Sequence, residues 1–142
     1  MSFSETIAPF LGRLALGWFY GVGAFNIIIN WHQMVEQLSA KHVPMPPLVL
    51  ILAFALMVMG TFSLVVGYHT RHGAVLLFAM TIVGAVVLHD YWHIADLAQR
   101  RAEFEIFSRD IGICGGLLMM MGLGCGPFGW DNRPPPGAKK RR

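Results

Sequence analysis

The sequence predicts an all-α integral membrane protein: a four-transmembrane-helix bundle with a short interfacial helix in the first outer loop. Three observations predict it. Hydrophobic residues make up 55 % of the 142 residues and charged residues only 13 %, about half the ~25 % charge of an average soluble domain. The mean hydropathy is +0.54. The apolar residues gather into four runs, each of about 20 residues, long enough for a helix to cross a hydrocarbon core of about 30 Å. Backbone polar groups in lipid must pair internally, so such runs are helices. The length leaves room for one membrane domain, residues 1–130, and for no sizeable soluble part.

The first span covers about 8–30, "APFLGRLALGWFYGVGAFNIIIN". No basic region precedes it and no small-residue cleavage pattern follows, so it is expected to stay in the mature protein. Segment 31–46, "WHQMVEQLSAKHVPMP", is too polar to span. Met34, Val35 and Leu38 share one helical face and Glu36, Gln37 and Lys41 turn away, the pattern of a helix lying in the interface. Pro44, Pro46 and Pro47 open the second span, about 47–67, and the third covers about 73–93. The fourth, about 106–126, stops at Pro127. Residues 131–142, "DNRPPPGAKKRR", cannot form a core and are expected to be a disordered basic tail.

An even number of spans puts both termini on one side. That side would carry Arg13, Arg71, Arg133 and the terminal Lys139, Lys140, Arg141 and Arg142, against Lys41, Arg100, Arg101 and Arg109 on the other. The excess of cations predicts both termini in the cytoplasm. Membrane context also argues against nucleic acid as the partner of the basic tail; anionic lipid or another subunit suits it better.

Two GxxxG pairs, Gly17/Gly21 and Gly112/Gly116, predict close helix packing, within the bundle or to another membrane subunit. Met119–Met121 point three ways around a helix and read as gap fillers, not as a metal stripe. Cys114 and Cys125 would stand about 16 Å apart along a helix, too far for a disulfide.

Ionisable residues inside spans are functional candidates by default. Arg13 lies inside the first span; it is expected either to snorkel or to pair, with Asp131 as partner. Arg109 and Asp110 are expected to balance each other. At the outer end, "VVLHDYWHIADL" sets His89, His93 and Asp96 at i, i+4 and i+7, one face of a continuing helix. Two imidazoles and a carboxylate are ligand types for zinc or non-haem iron. Asp90 would orient a histidine, and His32, Glu36 and His42 in the facing loop would add further ligands or outer partners to them. The competing reading is interface anchoring, since His, Trp and Tyr are ordinary there and no HExxH or second HxxxH accompanies them.

Five stretches carry a resemblance to a known family: "GRLALGWFYGVGAF", "AKHVPMP", "VVGYHTRHGA", "LHDYW" and "SRDIGICGGLLMMMGLGCGPFGWD". In that order, from about Leu11 to Asp131, they resemble the DoxX-like family of small four-helix bacterial membrane proteins. The resemblance implies an inner-membrane bundle loosely tied to redox systems; some relatives are the membrane subunit of thiosulfate:quinone oxidoreductase. It singles out Arg13, His89, Asp90 and Trp92. Where relatives often carry a lysine late in the first span and a glutamate in the second, this chain has Asn26 and Met57, so a possible intramembrane charge pair is missing.

The leading expectation is an accessory or anchor subunit of a larger membrane redox or energy-transducing complex, with quinone or lipid between the helices. The rival is a quinone-linked enzyme in which His89 or His93 exchanges protons, Asp90 orients the imidazole, and Trp31, Tyr91 and Trp92 line an aromatic site. Histidine suits proton exchange because its unperturbed pKa is about 6.5. A metal-binding bundle is the third class.

Overall fold

The computed structural model describes residues 3–132. It is built from helices: Phe3–Ile29 (α1), Trp31–Ala40 (α2), Pro46–Val66 (α3), Thr70–Leu88 (α4) and Leu97–Leu123 (α5). Short 3₁₀ turns follow at Tyr91–His93 and Trp130–Asn132. Four of the helices, α1, α3, α4 and α5, are long and apolar enough to cross a membrane. The four-span architecture read from the sequence is therefore present, with α2 as the short amphipathic helix between the first two spans. The expectations for residues 133–142 lie outside the described residues.

Sequence punctuation sets most of the boundaries. Proline at the start of α3 costs no hydrogen bond, because the first N–H groups of a helix have no internal partner. Gly67 ends α3 at φ 75°, a left-handed conformation that glycine adopts without a Cβ penalty. Asp96 starts α5 by accepting the Gln99 N–H at 2.9 Å, an N-cap. That cap explains why α5 begins nine residues before the expected start of the fourth span. The segment Leu97–Glu105 is charged yet made of good helix formers, so the helix runs on beyond the apolar part.

Helices α3, α4 and α5 pack in sequence, α1 lies on α3, and α1 meets α5 more loosely. A central core gathers Tyr20, Leu64, Ala74, Leu77, Leu117 and Met120. A second cluster, Ile27, Leu38 and Leu50, seats α2 on α1 and α3, with Trp31, Phe54 and Leu88 against it. The outward faces carry Trp18, Phe25, Phe62 and Val83, all exposed, as a lipid-facing surface requires. Two glycines bring α3 and α4 together: a Cβ on Gly60 would stand 2.5 Å from Leu77 Cγ, and one on Gly73 would stand 2.3 Å from Ser63 Oγ.

Candidate functional site

The sequence directs attention to both ends of the bundle. At the end away from the termini, α4 stops at Leu88. His89 is its C-cap, Tyr91–His93 form the 3₁₀ turn, and Ile94 is extended. The helical register assumed for His89, His93 and Asp96 therefore breaks, and the expected common face is corrected. The three residues turn to different partners. His89 Nδ1 is 2.7 Å from Glu103 Oε2 on α5, His93 Nδ1 is 3.5 Å from Asp90 Oδ2, and the Asp96 carboxylate caps α5. Among the described residues, no group of three His, Cys, Asp or Glu side chains is placed to hold a metal ion.

Asp90 also forms an ion pair with Lys41, which ties the end of α2 to the end of α4. The facing loop thus contributes Lys41, not His32, Glu36 or His42. The expected aromatic site divides as well. Trp31 packs in the Ile27–Leu38–Leu50 cluster, while Tyr91 and Trp92 meet edge to face, Trp92 meets Phe107 of α5 the same way, and Tyr91 is tilted against Phe107 with Phe104 at its edge. Apolar packing against two different helices separates the three rings.

Within the membrane-spanning part, Tyr20 and Thr81 share a hydrogen bond of 2.5 Å between α1 and α4, and the Thr81 hydroxyl donates to the Leu77 carbonyl at 2.7 Å. Sequence reasoning passed over this link; a lone tyrosine and a lone threonine in apolar runs were its signal. Arg109 Nη2 lies 3.2 Å from Asp110 Oδ1, and its guanidinium covers the Phe19 ring at 5.4 Å. Asp110 is buried and Arg109 is exposed. At the two departures from the family pattern, Asn26 accepts from Asn30 Nδ2 at 2.5 Å, and the sulfur of Met57 lies 3.4 Å from the Cβ position of Gly23. Packing and a side-chain amide bond occupy the place of a charge pair.

At the termini end, Arg13 is only 1 % exposed. It neither snorkels out nor pairs with Asp131. Its Nη2 donates a long hydrogen bond, 3.4 Å, to the Phe128 carbonyl, and its Nη1 fits against Gly67 and Gly129. Asp131 is taken up by the start of α4: its Oδ1 accepts from the His69 N–H at 2.8 Å and its Oδ2 from the Thr70 N–H at 3.0 Å. Its own N–H donates to the Gly67 carbonyl. Burial opposes ionisation of Asp131, but those backbone N–H groups outweigh it and hold the carboxyl below its ordinary value. The expected Arg13–Asp131 pair is corrected, because the carboxylate is already committed as a helix cap.

The seam glycines also sort by environment. A Cβ on Gly17 would meet Val65 at 2.5 Å, and one on Gly116 would meet Leu16 at 3.7 Å; both face the bundle interior. Gly21 and Gly112 would meet nothing within 4 Å.

Comparison with known proteins agrees with this architecture. The family model described as DoxX matches residues 8–90. The chain is 27 % identical over 123 residues, 87 % of each chain, to the inner membrane protein YphA of Escherichia coli strain K12. No solved structure matches.

Proposed function

We propose, from the premise that this chain belongs to the DoxX family and is a small multi-pass inner-membrane protein, that it serves as an accessory or anchor subunit of a larger membrane redox or energy-transducing complex. The observation that supports the reading is unfilled space on α5. A Cβ on Gly112 or on Gly115 would meet nothing within 4 Å, although both lie in the apolar part of the helix, beside the exposed Ile111 and Leu118. Glycine costs a helix interior about 1 kcal/mol relative to alanine. In lipid, a smooth glycine surface lets another helix approach closely. At the end away from the termini, Lys41 pairs with Asp90 and His89 with Glu103, which suits support better than turnover.

The test is the native mass in mild detergent, with co-purifying chains identified. We expect an assembly well above the 15.8 kDa chain. Gly112→Leu should shed the partner and leave the isolated chain helical, with its unfolding midpoint no lower than that of wild type. A wild-type mass of one chain plus micelle, or a variant that stays fully assembled, would sink the reading. Both termini are assigned to the cytoplasm on the balance of cations; a reporter active only in the cytoplasm, fused to the C-terminus, should be active.

A second reading rests on a different surface. Between α1 and α3 runs an apolar groove of about 460 Å³ lined by Gly21, Phe25, Phe54, Val58 and Phe62, with Thr61 in its wall. The Thr61 Oγ1 is buried without a hydrogen-bond partner among the described residues. A quinone fits that chemistry, its ring in the groove and one carbonyl accepting from Thr61. Purified wild-type protein should then retain quinone and Thr61→Val should lose it; equal retention by the two would dismiss the site.

A further inference from the structure

The termini end holds a feature that neither reading uses. A cavity of about 300 Å³ opens there, walled by His69, Arg71, His72, Leu123, Cys125 and Asp131. Arg71 makes one long contact, its Nη2 donating to the Gly122 carbonyl at 3.4 Å. The rings of His69 and His72 meet edge to face, with centroids 5.6 Å apart. Behind the wall stands Arg13, whose guanidinium covers the Phe10 ring at 5.6 Å and whose Nε and Nη1 have no hydrogen-bond partner among the described residues. Its Nη1 lies against Gly129, and the Cys125 sulfur that walls the cavity lies against the same glycine.

A buried guanidinium with unpaired N–H groups is costly unless an acceptor or an anion stands near. The carboxylate in the wall does not relieve it, because Asp131 is bonded to the His69 and Thr70 N–H groups. The geometry points to a phosphate-binding site in this cavity, with Arg71 as its principal contact, His69 and His72 beside it, and Arg13 supplying positive field from behind. Arg71 in the wall and Arg13 behind it set two guanidinium charges against the one carboxylate of Asp131. Arginine suits the role because its planar fork matches phosphate oxygens in pairs.

The phosphate has two natural sources. Leu123 in the cavity wall is 75 % exposed, and Tyr68 and Trp130, the chain neighbours of His69 and Asp131, are at least half exposed. An anionic phospholipid would lay its acyl chains on this apolar collar and place its headgroup in the cavity. Free phosphate would meet the same cations without the collar.

Native mass spectrometry of the full chain, offered phosphatidylglycerol or phosphatidylcholine in detergent, separates the sources when paired with a titration of inorganic phosphate. Preferential retention of phosphatidylglycerol, weakened about tenfold by Arg71→Gln as expected for a lost charge-assisted pair, supports the site with lipid as its source. Saturable binding of inorganic phosphate with the same loss supports it with free phosphate as its source. Should Arg71→Gln lower helical content, Arg71→Lys takes its place, keeping charge without the fork, and is expected to bind between the two. Equal retention of both lipids with no phosphate binding, or affinities untouched by the Arg71 variants, would overturn the proposal.

Discussion

At the scale of single residues, the informative side chains are polar groups whose partners lie far along the chain. The Tyr20–Thr81 bond spans 61 positions. Tyr20→Phe removes its donor while Thr81 keeps its bond to Leu77, so the loss should be small. We expect about 0.5–1 kcal/mol, the range for hydrogen bonds between membrane helices, read as a lower unfolding midpoint in detergent. Asp131 predicts a pH dependence with a definite sign. Its folded carboxyl titrates below the ordinary carboxylate range, so its contribution to stability is present above that range and is lost as pH falls through the folded value. Wild type should therefore lose stability below about pH 4 more steeply than Asp131→Asn; parallel pH profiles would refute the capping role. The sequence marked Asp131 and Arg13 as important but paired them with each other. The backbone N–H groups at the start of α4, invisible to side-chain spacing, compete for the carboxylate and win.

At the scale of elements, hydropathy located every spanning helix, while capping and close packing decided where each begins and how it meets its neighbours. The third span illustrates the limit. "LHDYWH" reads as a continuing helix, yet α4 ends at Leu88. Asp90 is held by Lys41, while Tyr91 and Trp92 pack against the aromatic rings of α5. Those tertiary contacts outweigh local helix propensity, and with the helix goes the i, i+4, i+7 face. Close packing makes its own prediction. A methyl group on Gly60 would collide with Leu77, which is fully buried and has nowhere to go. Gly60→Ala should cost roughly 1–3 kcal/mol by overpacking, measured by unfolding in mixed micelles. Gly112→Ala, with open space around it, should cost nothing in the same assay and gain up to about 1 kcal/mol of helix propensity.

At the scale of the whole molecule, α1 and α5 close the bundle through few contacts, among them Leu16 with Gly116 and Phe19 with Arg109. Gly116→Leu should then lower the stability of the isolated chain, by roughly 1–3 kcal/mol. Gly112→Leu should not lower that stability and should weaken only assembly. If the two variants behaved alike in the isolated chain, the division of the seam into an inner and an outer member would be wrong. Composition and the length of the apolar runs were enough to determine a four-span helical membrane protein with a short amphipathic helix after the first span. Lipid leaves the backbone no other way to pair its polar groups, and that demand is written locally. Which glycines face inward, which carboxylate caps a helix, and whether three ligand-type residues share a face depend on how the helices meet. Those outcomes turn on contacts between residues tens of positions apart, so only the tertiary structure decided them.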